Sequence, residues 1–318
     1  MTAAPVPRLR VAVPFVLLAL IWGSTWLVIR DQLGTVPPGW SVTWRFALST
    51  VAMFALAWWR GNPLRLDARG QKLAFLIGAP QFALNFQLVY RSELHLTSGV
   101  VAIVFTLLFA YNAVLSRIFL GRKLEARFVA GSAIAIVGIA LLLLNETRRG
   151  GIQGGGDVWL GSAMVLAAIL CASSANVLQS TRAAERLPIF TLLAWAMLWG
   201  TLVNAVLAWV LSGPPQFEPR LTYGLGVAYL ALIGSVAAFP LYFRLLRDIG
   251  AAQGGYVNVV VPIVAMTLST LFEGYRWSAL AVVGVVVALS GMAVALSGRS
   301  AAATELRASA RKPSTKVG

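Results

Sequence analysis

The chain has 318 residues, 58% of them hydrophobic and only 12% charged, with a net charge of +15 and a mean hydropathy of +0.78. A soluble domain carries charge on roughly a quarter of its residues, so this composition excludes a water-covered globule and demands an outer surface that faces lipid. Nucleic acid is excluded as the reason for the basic excess, because Lys and Arg sit in short clusters between apolar runs.

About 20 apolar residues cross a bilayer as a helix, and ten segments qualify. The first, roughly 11–29, is too long for the apolar core of a cleavable leader and is read as a span. It places Trp22 near mid-depth, with Trp26 on the same face. The second, 40–59, contains Arg45, roughly 8 Å inside the span at about 1.5 Å per residue. That arginine either snorkels to the headgroups or points into the bundle, where Asp31 and Glu93 are candidate partners and a gate at the mouth a candidate role. The third, 73–90, puts Gln81 and Asn85 four residues apart on one face.

The fourth span, 97–119, carries Tyr111 and Asn112, and the fifth, 127–145, is rich in small residues. In the sixth, 158–180, Asn176 follows Ser173 and Ser174; Cys171, the sole cysteine, excludes an internal disulfide. The seventh, 189–211, holds Asn204, and the eighth, 221–243, holds Ser235 and Tyr242. Tyr256, Asn258 and the helix-bending Pro262 lie in the ninth, 251–272; the tenth is 277–297. An unpaired amide in hydrocarbon costs on the order of several kcal/mol, so intramembrane amides and rings are expected to face a cavity or another helix. The residues expected to line a substrate pathway are Trp22, Gln81, Asn85, Tyr111, Asn176, Ser235, Tyr256 and Asn258. Arg45 and Pro262 are expected to serve the gate or the structure. Ser and Thr hydroxyls can instead bond their own helix, and Asn112 and Asn204 can join helices. Trp40, Trp58, Trp59, Trp159 and Trp277, near span ends, read as interfacial anchors.

Lysine and arginine orient the chain. Nineteen fall on the side of the two termini, six on the other, and Arg45 alone is left inside a span. Both termini are therefore expected in the cytoplasm, with 1–10 a short lead, 146–157 an outer linker and 298–318 a basic, disordered tail. No Asp or Glu falls within a span so drawn, which leaves no carboxylate for a proton relay. No P-loop, metal cluster or cofactor motif is present, and the only histidine, His95, lies in an outer loop. A membrane-embedded enzyme of lipid metabolism, which needs clustered acids, histidines or cysteines, is thereby disfavoured. A receptor or scaffold that moves nothing is the remaining alternative.

A shift of 153 residues lays Phe86 on Phe239, Arg91 on Arg244, Gly131 on Gly284 and Gly138 on Gly291. The segments 11–145 and 158–297 then read as two copies of five spans. An odd repeat enters the membrane from opposite sides, so the expected fold is an all-α integral membrane protein of ten transmembrane helices as two inverted five-helix repeats.

The opening LALIWGSTWLVIR resembles the Trp-Gly-Ser-Thr start of the EamA branch of the drug/metabolite transporter superfamily, and WRFAL resembles its Arg-Phe element. The stretches SGVVAIVFTLLFAYNAVLSRIFLGRKLEARFVAGSAIAIVGIALLL and GYRWSALAVVGVVVALSGMAVAL resemble that family's fourth-to-fifth and ninth-to-tenth spans. The likeness covers roughly 11–297; it departs at Phe109, where the family often has proline, and at 121–123, where it often has glutamate. The resemblance implies a secondary transporter in a bacterial inner membrane that exports a small neutral, zwitterionic or amphipathic metabolite, such as an amino acid. Its partners would be that small molecule and the bilayer, without nucleic acid.

Overall fold

In a computed structural model, the structure describes residues 8–34, 36–151, 156–242 and 257–309, with side chains between 12 and 297. The described elements are helices: α1 (Arg8–Asp31), α2 (Pro38–Trp59), α3 (Ala68–Ser92), α4 (Ser98–Leu120), α5 (Ala126–Arg149), α6 (Val158–Gln179), α7 (Ile189–Ser212), α8 (Leu221–Tyr242), α9 (Val257–Phe272) and α10 (Ala279–Ser309). A single helical turn, Arg182–Glu185, joins α6 to α7. By length and composition, eight of these helices can cross a membrane. The two others are α2, whose 22 residues include Arg45, four tryptophans and four hydroxyl side chains, and α9, described over 16 residues. The protein is a multi-pass membrane protein, and exposed Val51, Val210 and Leu271 give its flanks the apolar surface lipid requires.

Local chemistry sets the helix ends. Pro38 starts α2, where its missing N–H would have no intrahelical partner. The Asp67 carboxylate accepts from the Gly70 N–H at 2.8 Å, and Asp157 accepts from Leu160 at 2.9 Å, capping α3 and α6. Gly121 closes α4 at φ 64°, a left-handed conformation that costs a glycine nothing. Helix α10 does not stop where polar residues begin. It continues to Ser309, so 298–309 is helical and not the disordered segment expected, because the alanine-rich run favours helix continuation.

The tightest pairs are α5 with α10 and α2 with α7, while α1 packs on α9, and α6 on α3 and α4. The α5–α10 crossing is antiparallel and made by glycine. A Cβ on Gly131 would sit 2.6 Å from the Gly291 carbonyl oxygen, and one on Gly138 2.6 Å from that of Gly284. Without side chains at these positions the backbones touch, and packing replaces the hydrophobic drive that lipid cannot supply. Around Phe46, Met53, Phe82, Tyr90 and Met197 a core joins α2, α3 and α7; a second around Val100, Ile103, Leu142 and Met266 joins α4, α5 and α9. Trp40, expected as an interfacial anchor, is buried instead. It donates to the Gly213 carbonyl at 3.2 Å and stacks on Trp44, because the α7–α8 loop folds over the start of α2.

Candidate functional site

Helices α3 and α8 each widen into a π-helical stretch, Ala79–Leu84 and Tyr229–Ala237. Pro80 lies within the first stretch and Pro240 three residues past the second; each lacks a donor and crowds the carbonyl four residues back, which interrupts the regular helical ladder there. Ser235 follows the same spacing, its Oγ donating to the Leu230 carbonyl at 2.9 Å. On α7, the buried Asn204 donates to the Phe82 carbonyl at 2.8 Å and accepts from Gln87 at 2.9 Å, pinning the widened turn of α3 in place. A widened turn re-aims the side chains after it, and here Phe82 of the first stretch meets Phe239, two residues past the second, with ring centroids 6.4 Å apart.

Arg45 lies between these stretches, only 3% exposed. Its guanidinium carbon is 4.4 Å from the Phe86 ring centre and 5.2 Å from that of Phe46, within cation–π range. Its Nη2 is 3.5 Å from Ser235 Oγ, at the limit of a hydrogen bond, and Nε and Nη1 have no acceptor. The Tyr90 hydroxyl lies beside the guanidinium and donates to Gln32 Oε1 at 3.1 Å. The side chain therefore turns into the bundle and does not snorkel. Neither expected acid holds it: Asp31 pairs with Arg220 at 3.4 Å, and the Glu93 carboxylate has no hydrogen bond.

Trp22 joins this centre, its Nε1 donating to the Gly234 carbonyl at 3.3 Å and its ring lying against Phe239 and Tyr242. Thus Trp22, Arg45 and Ser235, far apart in sequence, converge on one backbone turn. Gln81 and Asn85 sit on the widened turn of α3, Asn85 donating to the Gln81 carbonyl at 3.3 Å; Gln81 Oε1 and Asn85 Oδ1 are buried without partners. Asn176 donates to Asn112 at 3.3 Å and ties α6 to α4, and half-buried Tyr111 packs against the second core. Asn258 is exposed at the start of α9 and hydrogen-bonded to the Tyr242 side chain, while Pro262 is buried within α9. Tyr256 lies outside the described residues.

A cavity of about 1400 Å³ opens at the Asp31 end of the bundle, between α1 and α8 on one wall and the ends of α5 and α9 on the other. None of the ten residues singled out from sequence lines it; Arg30, Thr97, Glu146, Tyr229, Glu273 and Arg276 do. Tyr229 is the lining residue furthest along α8 from Leu221, and its hydroxyl lies 2.7 Å from that of Ser24. Glu273 accepts from the Ser98 N–H at 3.0 Å and from the Ser98 hydroxyl, tying the end of α9 to the start of α4. Glu146 accepts from Tyr275 at 3.0 Å and Asn145 at 3.1 Å. Glu93 is fully buried, Arg30 donating to its backbone carbonyl. Burial pushes the Glu93 carboxyl well above the usual range; Glu273 pushes it further and Arg30 opposes. The sequence reading placed these glutamates in loops because apolar runs end at Tyr90 and Asn145. The helices run on to Ser92 and Arg149, and both Glu93 and Glu146 are enclosed. Among the described residues no group of three or more His, Cys, Asp or Glu is placed to hold a metal.

The sequence matches the EamA-like transporter family twice, over residues 10–144 and 159–297. It is 27% identical to "Protein PagO" of Salmonella typhimurium, over 85% of this chain and 88% of that one. It is 29% identical to an Escherichia coli protein named "Uncharacterized inner membrane transporter YedA", over 86% and 87%. A "Probable amino-acid metabolite efflux pump" of Escherichia coli is 23% identical over 86% and 90%. A solved crystal structure, 19% identical, superposes with a TM-score of 0.64 over 91% of this chain and 97% of that one, a likeness of fold. The protein is thus a membrane transporter and not an enzyme, and it belongs to the EamA-like transporter family.

Proposed function

We propose that the protein is a secondary transporter that exports a small neutral, zwitterionic or amphipathic metabolite, an amino acid or a relative of one, by alternating access. The observation that carries this reading is the relation between the two wide turns. Shifted by 153 residues, Ala79–Leu84 falls on 232–237, inside Tyr229–Ala237, so corresponding helices of the two family matches are distorted at corresponding places. The same shift carries α5 onto the start of α10 at Ala279 and exchanges the partners of the glycine crossing. Both features support ten spans built as two inverted five-helix repeats, 11–145 and 158–297, with a midplane site between them. Irregular backbone at membrane depth is tolerated where it is enclosed by protein or lines a cavity. The wide turns gather Trp22, Arg45 and Ser235 at that seam, with Gln81 and Asn85 on the turn of α3.

The basic-residue bias supports a bacterial inner membrane location with both termini in the cytoplasm. On that orientation the cavity at the Asp31 end is the external mouth. The relative named as an amino-acid metabolite efflux pump supports the cargo class. The test is counterflow of radiolabelled L-amino acids in vesicles that contain the purified protein. Saturable exchange without chemical change is expected, weakened at least about tenfold by Gln81→Ala, a loss of one to two hydrogen bonds to cargo. Absence of exchange across the panel rejects the amino-acid class.

A further inference from the structure

Several arginines at the Asp31 end find hydrogen-bond acceptors. Arg220 bonds the carbonyl and carboxylate of Asp31 and pairs with Glu218, Arg149 bonds the Arg276 carbonyl, and Arg30 bonds that of Glu93. Arg91 bonds the carbonyl and side chain of Gln87. Arg45 differs. It is the most enclosed of these guanidinium groups, yet three of its five N–H bonds, one on Nε and two on Nη1, meet no acceptor. A buried lysine or carboxyl escapes such a position by losing its charge. An arginine keeps its charge, so an anion-free Arg45 is an incomplete site.

We infer that Arg45, with Ser235 and Tyr90 beside it, binds the carboxylate of the transported molecule. The inference rests on the transporter reading above and narrows its cargo to compounds with a carboxylate on an apolar or aromatic body. A lone guanidinium balances one negative charge, and its planar donors match a planar two-oxygen acceptor. A phosphate ester would call for a second cation, and Arg30 and Arg91 are already bonded elsewhere. The Phe46 and Phe86 rings lie against the guanidinium, and Phe82, Phe239 and Trp22 extend the ring cluster from Phe46. These suit an apolar body attached to the anchored group.

The approach is visible in the same helix. Tyr229 opens the widened turn of α8 and lines the cavity, while Gly234 and Ser235, a turn further along the helix, flank Arg45. A Cβ on Gly234 would lie 3.0 Å from Thr25 Cγ2 and 3.9 Å from Arg45 Nη2, so its absence lets α1 and the guanidinium pack closely on this turn of α8. The Ser24–Tyr229 hydroxyl pair and Thr25 flank the stretch of α8 that runs from the cavity lining to Ser235.

The test uses the purified full chain in detergent and measures its melting temperature with paired probes. The probes are L-leucine, L-phenylalanine, 4-methylpentanoate and phenylacetate, each against its own carboxamide. At least one acid is expected to raise the melting temperature while its amide does not, a difference in affinity of about tenfold or more. Arg45→Gln should abolish that difference, and Arg45→Lys should keep it only weakly. Without probe, Arg45→Gln should melt no lower than the wild type, since it removes an uncompensated charge; a merely structural arginine would lower it. Acids and amides acting alike, no probe acting, or an acid preference that survives in Arg45→Gln each overturns the anchor. Flux of the same probes in vesicles separates this from the transporter reading. Cargo moved equally by wild type and Arg45→Gln leaves transport standing and removes the anchor. An acid-specific shift without any flux leaves the anchor and removes transport of these compounds.

Discussion

Glu93 and Arg45 are both enclosed with bare polar atoms, but only the carboxyl can discharge. Glu93, just past α3, faces Glu273 from the end of α9, Arg30 from α1 and Tyr90 from the last turn of α3, and burial outweighs the one favourable charge among them. The folded protein therefore holds a proton that the unfolded chain releases in the ordinary carboxylate range. Below that range both states are protonated and nothing is lost. As pH rises above it, stability falls until the pH passes the raised folded value. The melting temperature in detergent is expected to decline as the pH rises above the ordinary carboxylate range, and Glu93→Gln should flatten that decline. An equal decline in the variant would place the titration elsewhere. Arg45 and the amides were legible from sequence because a polar atom inside an apolar run announces itself. Glu93 was not, since three residues past an apolar run a buried and a solvated glutamate look alike.

The antiparallel α5–α10 pair has no tolerance for a methyl group. A Cβ on Gly138 would lie 2.2 Å from the Ala288 nitrogen, and one on Gly131 2.3 Å from the Ala295 nitrogen. Backbone, not a flexible side chain, is in the way, so the helices must separate. Gly138→Ala and Gly131→Ala are each expected to cost about 1–3 kcal/mol, read as a lower melting temperature and a smaller yield of monodisperse protein. Gly224 on α8 supplies the control, as nothing lies within 4 Å of its Cβ position. There alanine should be neutral or stabilise by about 0.5–1 kcal/mol. Unchanged stability in both crossing variants would mean that the helices do not touch. The glycine spacing that builds this pair was readable directly, as a shared pattern in two spans. The wide turns were not: Pro80 and Pro240 are visible in the sequence, but whether a proline-bearing helix kinks, breaks or widens depends on the neighbours packed on it, such as Asn204 on the Phe82 carbonyl. The helical continuation of α10 to Ser309 was missed for a related reason, as polarity was weighed above alanine's preference for helix.

The cavity belongs to no single element, which is why apolar periodicity could order the helices but not locate it. Its size depends on how far α1 and α8 stand from the ends of α5 and α9, a property of packing across the whole bundle. If the two sets of helices rock about the seam at Arg45, that distance must change in every cycle, and fixing it must stop transport. Thr222 on α8 and Arg276 beyond α9 line opposite walls and are exposed. Cysteines at both, with Cys171→Ala to remove the native thiol, can be bridged by a flexible, membrane-impermeant reagent that reduction cleaves. Added to intact cells, the reagent should bridge them, because this end is proposed to face outward. Bridging only after the cells are opened would reverse the orientation. In vesicles made from the bridged protein, counterflow should fall at least about tenfold, a barrier increase of about 1.4 kcal/mol or more, and should return on reduction. Each single-cysteine variant, treated alike, should keep its flux, since a modified side chain at the rim leaves the walls free to move. Bridged protein that still exchanges cargo at the full rate would show that the walls are static, and the route would then have to pass elsewhere in the bundle.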